Sequence, residues 1–525
     1  MIQKEHGLKS RLPVWQTLKA RCGRQYLDWA EALPAFNGGR IKLLQTIRGH
    51  QREQAQKQFE KSRPQTGTVL HLNQLLLVEL FPIEDYEELG QQLRRLFPGD
   101  KKLEKGIEFI AGTAGQLFGG SWCNMGHIVR KKANPFFYPF ALATLPSLPV
   151  EVERVGVSVI KITSSLFAVA FSIDLTDEAS DKLNAILERH FLPEVVFRGV
   201  LPTRMNVSNR SMSLPEQIMR AAVLQFLDGL RLKTEHALRS RFKGLFLRMP
   251  KGRLPRLPAI EMFSLKYAGA EPATIVEVLN KNAAWADCFG LTHWRQDCLF
   301  VCPETLFQFP SKSRDEESTA YIILTLDRND ASSGSQNSDY FRLQEMSESL
   351  TPLIAVSGLI ESVQESIETL RFKVYRTLIG GTAFGGLVKD IRLNNQVQLR
   401  QMILDRLQFE LKEDRWQLEN AAKNLDQFTP LDNHWTEPLG ATFLTAINKR
   451  LERLRGHSSV VSDALSAYLQ RRNLDVTYRL QRNLFRWTIV ISIITVLLSV
   501  VATYGIVKDW QSFHVIVKWV RLHFH

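Results

Sequence analysis

The sequence has few cysteines, prolines and glycines for its length. Its 525 residues include 5 Cys, 21 Pro and 30 Gly, and 44% of them are hydrophobic. This composition excludes a disulfide scaffold, a collagen-like chain and a disordered chain. Sparse cysteines in an odd number favour a reducing compartment. The length predicts about three folding units, each large enough to bury its own core.

Recognisable catalytic and cofactor motifs are also lacking. The sequence has no G-x-S-x-G, H-E-x-x-H, Walker or kinase signature, so no nucleophile, base or cofactor can be named. An enzyme whose active-site residues are distant in sequence would leave no such trace. Cys288, His293, Cys298 and Cys302 lack the C-x-x-C pairs of structural zinc sites, and we interpret these cysteines as core residues rather than metal ligands.

Long hydrophobic runs are absent from most of the chain. The N-terminus has none of signal-peptide length, so the body of the chain is expected to stay in the cytosol. The exception is Trp487 to Val507, which is 21 residues long and carries no charge. A helix rises about 1.5 Å per residue, so this run can cross a hydrocarbon layer about 30 Å thick. The alternative is a buried core helix.

The flanking charges predict how this run is oriented. Basic residues are more numerous ahead of it than behind it, and the more basic side is expected to be cytoplasmic. We therefore predict a single-pass protein of the inner membrane, with residues 1–486 in the cytosol. The 18 residues after Val507 are too few for a second full span and have the composition of an interfacial segment. The arginines ahead of the run are Arg471, Arg472, Arg479, Arg482 and Arg486.

Small hydroxyl residues share one face of the predicted span, at spacings of three and four residues. Such a face lets copies of the helix approach one another, and it can line a narrow polar path around an axis. It continues backwards as a mostly apolar seam from Phe485 to Val460, and we prefer self-association through this seam. The alternative is that each hydroxyl bonds the carbonyl one turn back. The face comprises Thr488, Ser492, Thr495, Ser499 and Thr503.

The segment from Gly456 to Gly505 contains no other glycine and no proline, which predicts one unbroken helix about 75 Å long. The predicted helix has basic residues directly before an apolar span, and this span ends in Tyr504 and Gly505. This arrangement resembles the first membrane helix of the CorA-like divalent-cation channels. Ile506 and Val507 stand where that family has Met-Asn, so magnesium selectivity is not carried over. The resemblance implies an α/β cytosolic domain, a helical stalk and subunits around a shared axis. Some CorA-like members with an enlarged cytosolic portion are thought to serve bacterial antiviral defence by answering a nucleotide signal.

The net charge of +13 favours anionic partners. Seven cations and no acid lie between Glu235 and Glu261, and guanidinium groups bind phosphate oxygens in pairs. We predict that this stretch holds a nucleotide-type ligand. Anionic lipid, RNA and a solvated face without a dedicated ligand are the alternatives. The cations are Arg239, Arg241, Lys243, Arg248, Lys251, Arg253 and Arg256.

The cytosolic part is predicted to be an α+β domain, because β-rich runs at Val152–Ile162 and Leu166–Leu175 precede a helical run at Thr176–His190. Further strands are expected at Thr68–Leu80, Ala259–Lys266, Leu299–Phe309 and Ala320–Leu326, and further helices at Asp85–Phe97, Leu214–Arg248, Leu343–Leu378 and Leu387–Leu425. The predicted segments are a basic helical region (1–66), an α/β ligand-sensing domain (67–340), a helical region (341–430), a stalk helix (431–486), the transmembrane helix (487–507) and an amphipathic tail (508–525).

These features lead to a hypothesis and an alternative. The hypothesis is a membrane-anchored homo-oligomer, a CorA-like channel or membrane effector, gated by an anionic ligand on its cytosolic domain. Gating requires that the ligand contacts differ between the closed and open packings of the helices. The alternative is a membrane-tethered enzyme or nucleic-acid-binding module that uses the helix only as an anchor. A scaffold that recruits partners to the membrane is a third hypothesis.

Overall fold

The computed structural model of the chain describes most residues beyond the N-terminal region. The described residues are 49, 53, 69–114, 122–131, 140–189, 194–197, 210–213, 215–248, 257–266, 274–281, 299–302, 304–310, 312–313, 316–317, 320–327, 336–380, 387–413, 415–431 and 436–523. The predicted basic helical region of residues 1–66 therefore lies almost entirely outside them.

Strands and helices alternate up to residue 327, and helices dominate after it. The strands are β1 Val69–Pro82, β2 Trp122–Val129, β3 Leu142–Thr144, β4 Val152–Thr163, β5 Leu166–Leu175, β6 Glu194–Phe197, β7 Arg210–Ser213, β8 Ala259–Lys266, β9 Leu299–Cys302, β10 Thr305–Gln308, β11 Lys312–Ser313, β12 Glu316–Glu317, β13 Ala320–Asp327 and β14 Thr429–Pro430. The helices are α1 Tyr86–Leu96, α2 Lys101–Ala114, α3 Asp177–Leu187, α4 Pro215–Arg239, α5 Ile275–Lys281, α6 Gln336–Gly380, α7 Leu387–Glu413, α8 Arg415–Lys423 and α9 Leu439–His523.

Within the described residues, ten strands form one mixed sheet in the order β14-β9-β10-β13-β8-β1-β5-β4-β2-β3. The central strand β1 runs antiparallel to both of its neighbours, β5 and β8. Strand β13 lies parallel to β8, so the sheet is mixed. The fold is therefore a mixed α/β sheet domain followed by one long C-terminal helix, as the sequence predicted.

Strand β1 occupies the middle of the sheet because its sequence is apolar on both faces. Its run from Leu75 to Phe81 is buried throughout. A strand that is covered on both faces needs such a continuous apolar run rather than alternation. The two ends of the sheet are short strands, β3 and β14, and short edges limit pairing with other chains.

Several predicted segments agree with the structure to within a few residues. The β4–β5 hairpin, the helix after it and the strand Ala259–Lys266 are all confirmed. The run Leu387–Leu425 is helical in its described residues up to Lys423. Two predictions were wrong in their extent. The run Leu299–Phe309 forms two antiparallel strands rather than one.

The second difference is helix α4, which ends at Arg239 although helical periodicity continues to Arg248. The backbone N–H groups of Phe246 and Leu247 donate to the carboxylate of Glu79, at 2.8 Å each, rather than to a helical carbonyl. This tertiary contact stabilises a turn where local propensity favours helix.

The chain divides into two compact units. Unit 1 comprises Met1–Ser362 with Leu407–Leu451, and unit 2 comprises Val363–Arg406 with Glu452–His525. Unit 1 contains the sheet. Unit 2 is helical, and its core is a cluster from α6, α7 and α9: Leu370, Val374, Val397, Val461 and Leu465.

Candidate functional site in the long C-terminal helix and the sheet domain

Helix α9 contains the predicted span; it begins at Leu439, within the predicted stalk segment 431–486, and it continues beyond the predicted end of the span. It runs without interruption from Leu439 to His523, through Tyr504 and Gly505 and into the predicted interfacial tail. The most apolar 18-residue window has a mean hydropathy of 2.3, and none of it is buried within the chain. A core helix would be mostly buried, so this exposure argues against the buried-helix alternative and indicates membrane anchoring.

Four of the five hydroxyl side chains of the predicted face bond to their own helix. Thr488 donates to the carbonyl of Leu484, and Thr495 donates to that of Ile491, at 2.9 and 2.8 Å. Ser499 and Thr503 each donate to the carbonyl four residues earlier, at 2.8 and 2.7 Å. This is the alternative that the sequence left open, and it satisfies the hydroxyl groups without a neighbouring chain. It leaves the small side chains exposed on the helix surface.

The apolar seam lies on a face of α9 that the chain itself does not cover. Ser458, Val461 and Leu465 are buried against the core of unit 2. Val460 in the same turns is 63% exposed, and further along the helix Tyr478 is 64% exposed. The other apolar seam residues, Ala464, Ala467, Leu474 and Phe485, are exposed as well. An apolar stripe of this length on a stalk is typical of helix–helix association.

The first turns of α9 are fastened to the sheet within unit 1 by an aromatic cluster. The ring of Phe443 lies 4.5 Å from that of Phe309 and 5.6 Å from that of Tyr321, measured between centroids. Phe307 stacks on Tyr321 at 5.9 Å. Phe443 and Phe307 are almost completely buried. Aromatic pairs of this kind contribute beyond their buried area, so this cluster stabilises the start of the helix.

Polar contacts in unit 1 reinforce this attachment. The buried hydroxyl of Tyr321 donates to Ser357 Oγ at 3.1 Å, and Arg450 Nη1 of α9 donates to the same oxygen at 3.4 Å. Arg450 also pairs with Glu361 of α6 at 3.4 Å. Burial raises the pKa of Tyr321 to about 12, so this hydroxyl stays protonated at neutral pH. Strand β13, helix α6 and helix α9 are thus joined by one network.

Helix α7 is attached in a similar way. The buried carboxylate of Glu410 accepts a hydrogen bond from Thr163 Oγ1 at 3.0 Å and another from the hydroxyl of Ser165. Both hydroxyls lie at the turn of the β4–β5 hairpin. Helices α6 and α7 are therefore fixed in the sheet domain by buried polar contacts, and α9 is fixed by its buried aromatic ring and by the part-buried contact of Arg450 with Ser357.

The predicted anion-binding residues differ in their exposure and in their ion pairs, and some of them lie outside the described residues. Arg248 pairs with Asp85 at 2.9 Å and with Glu88 at 2.8 Å, so it joins its turn to helix α1. Arg241 and Lys243 are exposed and Arg239 is half-buried, at and beyond the end of α4. Lys251, Arg253 and Arg256 lie outside the described residues, as do Cys288, His293 and Cys298. Cys302 is buried in β9, as predicted.

Two buried glutamates hold the ends of this basic stretch. Glu79 accepts hydrogen bonds from the backbone N–H groups of Leu80, Phe246 and Leu247, each at 2.8 Å. Glu235 accepts one from Leu257 N, also at 2.8 Å. A Cβ atom at Gly244 would lie 2.5 Å from Leu80 O, so only glycine fits there. The described basic residues Arg239, Arg241, Lys243 and Arg248 therefore lie on a segment that is held to the sheet domain.

Glu79 and Glu261 are buried carboxyl groups with perturbed protonation. Burial raises the pKa of Glu79 to about 7 against the opposing effect of its backbone hydrogen bonds. Burial also raises the pKa of Glu261 to about 7, and Arg231 opposes this shift from 3.8 Å away. Sequence reasoning missed these residues, although a lone carboxylate inside an apolar strand, as in LLLVELF, is a usable signal.

No group of three or more metal-ligating side chains occurs in the part of the chain that the structure describes. These observations define an α/β protein with a long helix that is apolar enough to cross a membrane and that carries an exposed apolar seam. No protein-family model matches the sequence. No curated protein matches it either.

Proposed function

We propose that this protein is a membrane-anchored homo-oligomer that acts as a CorA-like channel or membrane effector. An anionic, nucleotide-type ligand on the cytosolic α/β domain gates it, in a role such as bacterial antiviral defence. In this proposal the protein crosses the inner membrane once, with the sheet domain in the cytosol. Arginines ahead of the span and the smaller number of basic residues after it support this orientation.

The observation that supports assembly is the exposed seam of α9. The buried face of this helix packs on α6 and α7, while the apolar residues of the seam that leads to Thr488 and Ser492 are exposed in the described chain. Apolar residues such as Leu474, which is 72% exposed, are costly in water unless a partner covers them. Copies of the same helix, meeting around an axis, offer the matching surface.

The link from ligand to membrane runs through the attachment of α9 to the sheet. Phe443 and Arg450 lie on the same uninterrupted helix as the span. A change in the sheet that alters their contacts with Tyr321 and Ser357 acts on the helix that enters the membrane. The ligand must favour one packing over the other for this link to work as a gate.

The first test is the mass of the complex extracted in detergent. We expect an oligomer for the natural sequence and a smaller species for Leu474→Arg/Phe485→Arg, because buried arginines in the seam repel one another. The matched control Asn473→Arg/Asn483→Arg adds the same charge at exposed polar positions of α9 that lie away from the seam, and it is expected to keep the oligomer. A monomeric natural protein would rule out the proposed assembly.

The second test is ion flux through liposomes that contain the full-length protein, with and without candidate nucleotides. We expect leakage that depends on one of these ligands and that Leu474→Arg/Phe485→Arg abolishes. Leakage in none of the conditions contradicts the channel.

The intrahelical hydrogen bonds of the span hydroxyls favour one alternative, a tethered enzyme or nucleic-acid-binding module. A helix whose hydroxyls are already satisfied can serve as a simple anchor. Exchange of residues 487–507 for an unrelated apolar helix distinguishes the two functions. An anchor tolerates the exchange, whereas a pore loses its flux.

A further inference from the structure

Two arginines lie directly ahead of the span on the surface of α9. Arg482 and Arg486 are exposed, and Arg486 is followed at once by Trp487, which is 65% exposed and opens the uncharged run. Helical geometry places both guanidinium groups within about 8 Å of this boundary along the axis. That distance is about one Debye length at physiological salt, so both groups feel the charge of a membrane surface.

These two arginines differ from the arginines further up the helix. Arg479 pairs with Asp475 at 3.0 Å, and Arg472 donates to the hydroxyl of Tyr468 at 3.3 Å. In the described part of the chain, neither Arg482 nor Arg486 forms an ion pair. The sequence between Asp475 and the span contains no acid that could neutralise them. Their charges are available to a partner outside the chain.

The arginines point away from the hydroxyl face of the span, and Arg482 borders the apolar seam, one turn from Tyr478 and from Phe485. At 3.6 residues per turn, Arg479, Arg482 and Arg486 fall within an arc of about 60°. Thr488 and Ser492 fall on another arc whose centre is about 130° away. Copies that meet through the hydroxyl face therefore leave the arginines on the outside, at the level of the lipid headgroups.

We propose that Arg482 and Arg486 form a binding surface for the headgroups of anionic phospholipids in the leaflet next to the sheet domain. Guanidinium groups bind phosphate oxygens through paired hydrogen bonds, and Trp487 suits the same boundary because its ring is amphipathic. Each basic residue near an anionic membrane surface raises the binding constant of the protein for that surface by roughly fivefold. This inference rests on the proposed membrane span, but it requires neither a pore nor a gating ligand.

The test is the lipid that the full-length protein retains. The protein is extracted in a nonionic detergent, equilibrated with equal amounts of phosphatidylglycerol and phosphatidylcholine, and its bound lipids are counted by native mass spectrometry. We expect retained phosphatidylglycerol to exceed phosphatidylcholine. In Arg482→Gln/Arg486→Gln we expect this ratio to fall by roughly fivefold for each arginine removed.

Two further variants serve as controls. They distinguish lipid binding by Arg482 and Arg486 from a general effect of positive charge and from a loss of folding. Lys449→Gln/Arg453→Gln removes the same charge from exposed positions of α9 about 50 Å away and should leave the ratio unchanged. Arg482→Lys/Arg486→Lys keeps the charge without the planar fork and should give an intermediate ratio.

The inference is overturned if the glutamine variant retains lipids like the natural protein, or if the distant control lowers the ratio equally. If the protein retains phosphatidylglycerol through these arginines but is monomeric and passes no ions, the proposed channel is contradicted and the lipid surface is supported. An oligomer that passes ions but shows no preference for phosphatidylglycerol would sink the lipid surface alone.

Discussion

Glu79 and Glu261 are carboxyl groups held in the interior of the sheet domain, where an ionised side chain is costly. The two carboxyl groups have different polar partners. Glu79 has three backbone donors, whereas Glu261 has the guanidinium of Arg231 at 3.8 Å, beyond hydrogen-bond distance. Replacement of the carboxyl group should therefore have different effects at the two positions.

For Glu261 we expect stability to fall as pH rises. Its folded pKa of about 7 lies above the ordinary value of 4.5, so the folded state holds this proton more tightly than the unfolded state. The contribution is fully present below pH 4.5 and is lost as the pH rises through 7, by a few kcal/mol at most. Glu261→Gln should match the natural protein at pH 5 and exceed its melting temperature at pH 8. Equal melting temperatures at pH 8 would contradict this expectation.

For Glu79 we expect any replacement to destabilise the protein. Glu79→Gln keeps the volume but offers one acceptor oxygen to the three backbone N–H groups, so buried donors lose partners at about 1–3 kcal/mol each. Thermal unfolding of the detergent-solubilised protein measures the loss. Glu108→Gln, on the exposed face of α2, is the matched control and should leave the melting temperature unchanged.

Helix α9 is the element in which packing and membrane insertion meet. Its first turns are buried by aromatic rings, its middle contributes one face to unit 2, and its span is fully exposed. Apolar periodicity predicted the long helix correctly. It could not predict the start at Leu439, because Phe443 is buried by rings that lie more than a hundred residues earlier in the chain.

We expect Phe443→Ala to destabilise the sheet domain by about 3–5 kcal/mol, the usual cost of removing a buried phenylalanine ring. Chemical unfolding of the full-length protein, followed by tryptophan fluorescence, measures the change. Phe409→Ala, which removes a ring that is 65% exposed, is the control and should cost much less. Equal losses in the two variants would show that the aromatic cluster does not anchor α9.

For the whole molecule, the exposed apolar run of α9 indicates attachment to a membrane. The two units carry ordinary buried cores, while residues 487–504 are exposed throughout. Among the described residues, α9 is the helix long and apolar enough to cross a bilayer. Insertion of the chain into the membrane should therefore depend on this run.

We expect Leu497→Arg/Val500→Arg to release the protein from membranes. An arginine near the middle of a span costs about 2.5–3.5 kcal/mol, so two of them offset much of the gain from insertion. Extraction with alkaline carbonate, followed by detection of the chain in pellet and supernatant, gives the result. Phe372→Arg/Phe409→Arg places the same residues at exposed apolar sites elsewhere and should keep the chain in the pellet. Pelleting of both variants would mean that the run is not the anchor.

Hydrophobic periodicity and charge are local patterns that can be read directly from the sequence. The sequence alone therefore determined the apolar span, the strands β4, β5 and β8, and the α/β class. The end of α4, the burial of Glu79 and the two ion pairs of Arg248 depend on segments that are distant in sequence. Such contacts exist only after the sheet has assembled, because a carboxylate on β1 meets the turn after α4 only in three dimensions. The seam of α9 combines both: its apolar pattern is local, whereas its exposure follows from the face that α6 and α7 cover.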